Sequence, residues 1–149
     1  MSTLEDENEI RKLIQKFTDC TNQRDTDAFV TVYADNASWQ LDPPNGVAFS
    51  GTPAEIAAQA GEALSYFKAL YQIVNSTTVT VTGDTATARS YITEVGLPPD
   101  QEGYFNYGLS LDSLVRTAKG WRFLRREYHT LYVDNSALAG TFKPFPVFK

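Results

Sequence analysis

Near Tyr71 the apolar period of the chain changes, and it does not change back before Val133. Upstream, Ile10, Leu13, Ile14 and Phe17 fall at i, i+3, i+4 and i+7, the stripe of an amphipathic helix. Downstream, Ile73 to Val81 and Thr85 to Val95 alternate with a two-residue period, rich in Thr, Val and Tyr, on either side of a Gly83-Asp84 turn. Tyr104 to Thr117 and Trp121 to Val133 repeat that pattern around Ala118-Lys119-Gly120. Helices first and hairpins afterwards make an α+β domain, a curved antiparallel sheet with its helices gathered on one face.

The punctuation of the first half predicts three helices. Ser2 with Glu5 fits a capping box, so the first helix reaches about Thr21. Asn22 to Asp27 supplies loop and capping chemistry, and Ala28, Phe29, Val32 and Tyr33 predict a shorter second helix to about Ala34. Ala37 to Leu41 alternates as a strand, Asp42-Pro43-Pro44-Asn45-Gly46 breaks it, and Val47 to Ser50 is a short partner strand. Thr52, Pro53 and Glu55 place a capping hydroxyl, a first-turn proline and a capping glutamate, predicting a third helix from Pro53 to about Leu70. Asn135 to Lys149 reads as a wrapping tail. At 149 residues the chain has the size of a single domain spanning residues 1–149.

A net charge of −5 disfavours nucleic acid and anionic membrane surfaces, both of which need clustered Lys and Arg. Cys20 is the only cysteine and His129 the only histidine, so neither an intrachain disulfide nor a nitrogen/sulfur metal site is expected. The acidic N-terminal segment has no apolar leader pattern, from which a cytoplasmic address is expected. Aromatic residues reach 13%, a surplus suited to lining a cavity that a bent sheet leaves beneath its helices.

Among polar residues, Asp112 stands out. It sits inside Tyr107-Gly-Leu-Ser-Leu-Asp-Ser-Leu-Val115, a predicted central strand, where an unpaired carboxylate is costly and its pKa should rise. The alternative is an ion pair with Arg89, Arg116 or Arg122, or an outward-facing side chain. His129, the only side chain with an unperturbed pKa near neutrality, is a second candidate, against the alternative of a solvated or locally hydrogen-bonded imidazole. Lys119 to Arg126 reads as the wet face of an alternating strand. Trp39, on the strand leading to Asp42, is the better pocket candidate of the two tryptophans.

The helix-one stripe, Asn22-Gln-Arg-Asp-Thr-Asp-Ala-Phe29, Tyr33-Ala-Asp-Asn-Ala-Ser-Trp39, Gly51-Thr-Pro-Ala-Glu-Ile56, Leu111-Asp-Ser-Leu-Val-Arg116 and Gly120-Trp-Arg-Phe123 together resemble the SnoaL-like branch of the nuclear-transport-factor-2-like superfamily. The resemblance covers about residues 7 to 133. It implies a cone-shaped α+β barrel, commonly a homodimer, with one deep apolar pocket and no cofactor. Relatives include ketosteroid isomerase, polyketide cyclases and scytalone dehydratase, so fold alone leaves the chemistry open. The dehydratase dyad is not matched, because Asn22 and Tyr71 stand where its Asp and His would be. The isomerase resemblance implies Asp42 as base and Asp112 as hydrogen-bonding acid, while Phe17 replaces the isomerase tyrosine. Tyr71, Tyr91 or Tyr107 would then supply a phenol, with Asn75 and Trp39 completing the substrate-binding residues. The expectation is proton transfer on a small hydrophobic, polycyclic carbonyl compound. The rival is a ligand carrier or the small structural subunit of a ring-hydroxylating dioxygenase.

Overall fold

The computed structural model describes residues 3–146. Helix α1 spans Thr3–Gln23 and buries Ile10, Leu13 and Ile14, the predicted stripe. Ser2, half of the expected capping box, lies outside the described residues. Asp6 fixes the start of α1 to the sheet: its carboxylate accepts from Arg116 Nη1 (2.8 Å), Arg116 Nη2 (3.0 Å) and the Trp121 indole N–H (3.0 Å).

The predicted second helix is a single 3-10 turn, Asp27–Thr31, and strand β1 (Tyr33–Leu41) begins directly after it. The sheet captures the chain there, since Phe123 N–H donates to the Val32 carbonyl at 2.9 Å and Tyr33 pairs with Phe123. The domain therefore carries two α-helices among the described residues, not three. Strand β2 (Ala48–Gly51) leads into α2 (Pro53–Ser65), whose capping box is formed by Glu55 N–H to Thr52 Oγ1 (3.2 Å) and Thr52 N–H to Glu55 Oε2 (2.8 Å). Helix α2 stops at Ser65 rather than near Leu70. The Arg24 guanidinium takes the carbonyls of Leu64 and Phe67, and Lys68 N–H donates to Leu97 O at 2.9 Å, drawing the chain into the sheet.

The remaining strands are β3 (Ala69–Thr82), β4 (Thr85–Leu97), β5 (Tyr104–Thr117) and β6 (Gly120–Asp134). They form one six-stranded sheet in the order β2-β1-β6-β5-β4-β3. It is mixed rather than wholly antiparallel, because β1 runs parallel to β6. Register shifts near Asn75 in β3 and at Leu124 and Leu131 in β6 are bulges, which bend strands and sharpen twist. The helices cover the concave face, where Phe29, Trp121 and Phe123 are fully buried with Ile10, Ile14 and Ile56. The outer face is left open. Beyond β6 the tail runs back over β3, stacking Phe145 on Tyr71 at 5.9 Å between ring centroids. No helix among the described residues is long and apolar enough to cross a membrane.

Candidate active site

Between the helices and the concave face lies a cavity of about 480 Å³, within the range of small-molecule sites. Its walls are aromatic and aliphatic: Phe17, Phe29, Tyr33, Trp39, Phe49, Phe67 and Leu70. Trp39 and Phe49 stack at 5.0 Å on the β1–β2 pair, and Phe17 meets Phe29 edge-on at 5.2 Å.

One end of the cavity is polar through Glu94. Along β4 the even-numbered residues Ala86, Ala88, Ser90 and Ile92 are buried on the concave side, and Glu94 continues the row at 6% exposure. Burial pushes its carboxyl above the usual range, opposed by hydrogen bonds from Tyr128 and Gln72. Gln72 Nε2 donates to Glu94 Oε2 at 3.2 Å. Gln72 is itself held by Asn22, whose amide donates to its carbonyl at 2.9 Å and accepts from its N–H at 2.7 Å. The Tyr128 hydroxyl donates to Asn106 Oδ1 at 2.6 Å. Gly108 makes room for it: a Cβ there would lie 2.0 Å from Tyr128 Oη. Burial also pushes the Tyr104 and Tyr128 phenols upward, so both stay protonated donors across ordinary pH.

At the other end, Arg126 and Asp112 form a buried fork. Nε meets Oδ1 at 2.8 Å and Nη2 meets Oδ2 at 3.1 Å, with the side chains 3% and 0% exposed. Burial pushes the Asp112 carboxyl up while the guanidinium pulls it back, and the two-bond geometry is that of a carboxylate on arginine. The guanidinium lies 4.1 Å from the ring centres of both Phe17 and Phe123. Its Nη1 has no hydrogen-bond partner among the described residues. Tyr33, buried beside this pair, is pushed upward by desolvation.

The structure brings only part of the predicted set together. Phe17 and Trp39 line the cavity and Arg126 lines it too, with Asp112 behind. Asp42 does not line it: the residue is exposed in the turn after β1, with Oδ1 accepting from Thr130 N–H (2.6 Å) and Oδ2 from the Thr130 hydroxyl (2.8 Å). His129 sits on the outer face with Nε2 3.0 Å from Glu127 Oε2. Tyr91 and Tyr107 occupy odd-numbered, outward positions of β4 and β5, at 45% and 48% exposure. Tyr71 packs against the tail, and Asn75, on the β3 bulge, donates to Thr93 Oγ1 at 2.8 Å. Asp19 and Asp25, the carboxyls nearest Asn22 in sequence, are exposed, Asp25 accepting from Ala28 N–H at 3.2 Å, and neither lines the cavity. Glu94, Tyr128, Asn106 and Gln72 were not anticipated from sequence, nor was Arg126, which the Leu124 bulge turns inward. Among the described residues no cluster of His, Cys, Asp or Glu could hold a metal ion.

A family model for the SnoaL-like domain matches residues 2–127. The chain belongs to the SnoaL-like family. A nuclear-transport-factor-2-like protein with a cystatin-like fold from Novosphingobium aromaticivorans is 27% identical, with a TM-score of 0.71 over 86% of this chain and 83% of that one. A scytalone dehydratase-like protein from the same organism superposes with a TM-score of 0.76 at 14% identity, over 94% and 97%. The hexachlorocyclohexane dehydrochlorinase LinA-type3 of Novosphingobium barchaimii gives 0.81 at 14% identity, over 96% and 97%. A search of curated proteins finds no match. The likeness to the dehydratase and dehydrochlorinase is one of fold.

Proposed function

We propose that this SnoaL-like protein is a cofactor-independent enzyme that moves protons on a hydrophobic carbonyl compound of polycyclic size, by isomerisation, cyclisation or elimination. The observation that carries the reading is Glu94, a desolvated carboxyl inside an aromatic-walled cavity beside two protonated phenols. As carboxylate, Glu94 takes a proton from carbon α to the carbonyl. The C–H electron pair moves into the carbonyl, and the enolate oxygen accepts a hydrogen bond from the Tyr104 phenol, the Tyr128 hydrogen being given to Asn106. The proton then returns from Glu94 to another carbon, or the electron pair expels a leaving group. Two neighbours of the same fold carry names that denote eliminations, a dehydratase and a dehydrochlorinase, which fits this class. Glu94 takes the base role expected of Asp42, whose oxygens are committed to Thr130. Asp112 serves as the counter-ion that fixes Arg126 rather than as a free acid.

A second reading, a ligand-binding protein or the small structural subunit of a dioxygenase, is favoured by that same pairing of Asp112. Deuterium incorporation separates the two. Hydrophobic ketones that bind the protein are incubated with it in D2O and α-deuteration is followed by NMR. Glu94→Gln is expected to slow exchange by ~100-fold or more, the usual worth of a positioned base. If bound ketones exchange no faster than in buffer, or the variant stays within about tenfold of wild type, catalysis by Glu94 is rejected and binding alone remains.

A further inference from the structure

As a carboxylate, Glu94 is a buried charge with no counter-ion. Among the described residues it forms no salt bridge, and burial and hydrogen bonds rather than a neighbouring charge set its ionisation. The groups packed around it are neutral: Gln72 from β3, Asn106 and Tyr104 from β5, and Tyr128 from β6. Arg126 is the one basic residue lining the cavity among those described, and its charge is taken up by Asp112. The lining acids, Glu94 inside and the exposed Glu62 on α2, are left unbalanced. Because Glu94 keeps 6% exposure and lines the cavity, its remaining surface opens into that space. Neither of its oxygens is among the enclosed side-chain atoms without a partner, which are Asn106 Nδ2 and Arg126 Nη1. Tyr128 gives its hydrogen to Asn106, so its oxygen adds an acceptor at the same end. Two acceptors and an uncancelled negative charge call for a ligand that brings donors and a positive charge. The walls suit one, since the ring faces of Trp39, Phe67 and Tyr104 attract cations.

We infer that the cavity takes a second class of ligand, a hydrophobic amine in its protonated form, whose ammonium N–H groups donate to Glu94 and Tyr128 while its rings fill the aromatic walls. The fold already bears the desolvation of the carboxylate, so the ammonium adds only its own. Compared with an alcohol of the same shape it gains a close charge pair in a water-poor site, worth roughly tenfold or more in affinity. An anion of that shape gains nothing, because Glu94 and Glu62 both repel it. This assignment rests on the cavity being the ligand site, which both readings above share, and it does not require Glu94 to be catalytic.

The test is titration calorimetry at neutral pH with naphthylmethylamine, naphthalenemethanol and naphthoate, three probes of one ring system that differ in charge. The amine is expected to bind wild type at least tenfold tighter than the alcohol, and the carboxylate no tighter than the alcohol. Glu94→Gln keeps the shape of the side chain without its charge, and it should abolish the preference for the amine while leaving alcohol affinity unchanged. Glu62→Gln removes the acid on α2 and should retain the preference. A second measurement needs no variant: in wild type, the methylene protons beside the amine nitrogen should show nuclear Overhauser contacts to the ring protons of Tyr104 and Tyr128. Equal affinities for amine and alcohol, a preference that survives Glu94→Gln or is lost in Glu62→Gln, missing Overhauser contacts, or no binding of any probe would each overturn the assignment. Should it fall while α-deuteration still depends on Glu94, the proposed activity stands and only the cation site is lost. A preference that holds where ketones are not deuterated would leave Glu94 as a binding carboxylate and end the catalytic reading instead.

Discussion

Gly108→Ala is the substitution whose effect can be worked most directly from the geometry. The new methyl would lie 2.0 Å from Tyr128 Oη, 2.1 Å from Cζ and 2.6 Å from Cε1, all well inside contact distance, so the ring must leave the sheet. The cavity that Tyr128 already borders gives the ring room to move. Steric cost is therefore small, and the loss comes from hydrogen bonds. The 2.6 Å bond to Asn106 is broken, and Asn106, 0% exposed, is left with an unsatisfied oxygen beside an already unpartnered Nδ2. An unsatisfied buried group costs about 1–3 kcal/mol, which is the destabilisation expected. Urea unfolding measures it, and a double-mutant cycle with Tyr128→Ala isolates its cause. In the Tyr128→Ala background Gly108→Ala should cost less than about 0.5 kcal/mol, since nothing remains to be displaced. The displaced ring should also fill the cavity and weaken the binding of hydrophobic ketones. A fully stable Gly108→Ala protein, or strict additivity with Tyr128→Ala, would refute the account of why this glycine is there.

Other consequences can be measured separately. Asp112→Asn leaves the Arg126 charge buried without its counter-ion and should destabilise the fold by about 3–5 kcal/mol in urea. Glu94→Gln should have the opposite effect at neutral pH. The folded-state pKa of Glu94 lies above its ordinary 4.5, so the folded state holds the proton more tightly and stability falls as pH rises from 4.5 through the raised value. Urea midpoints against pH should show that fall in wild type and lose it in Glu94→Gln. We also expect a homodimer through the open outer face, where Tyr91, Tyr107, Leu111, Leu131 and Tyr132 are exposed side chains on neighbouring strands. Sedimentation equilibrium should give twice the chain mass, reduced to the monomer by Tyr107→Lys, and a monomeric wild type would exclude it.

How much of this was legible in the sequence depends on how local the cause is. Strand β5 runs from Tyr104 to Thr117 as its alternation and flanking turns predict, and the capping box at Thr52 marks the start of α2 correctly. Both signals are contained in a few neighbouring residues. The overextended helices failed where a distant strand takes over the chain: Phe123 captures Val32, and Leu97 captures Lys68. Glu94 could have been found, because it shares parity with Ala86, Ala88 and Ile92, and the same parity sends Tyr91 outward. Arg126 could not. Phe123 pairs with Leu114 and Arg125 with Ser113, so Leu124 drops out of the ladder and the inward side passes from odd to even residues. No alternation rule applied along Lys119 to Arg126 anticipates that slip.

Asn22 shows why a familiar dehydratase pair cannot be restored to this chain by a single exchange. Its carboxamide stands in for an adjoining strand, offering a hydrogen to the Gln72 carbonyl and a lone pair to the Gln72 amide along the free border of β3. Aspartate has only oxygens to present, so one of those contacts would turn from attraction to repulsion. The residue that looks like a lost acid is a fastener, and the carboxyl that lines this cavity lies one strand further in, on β4.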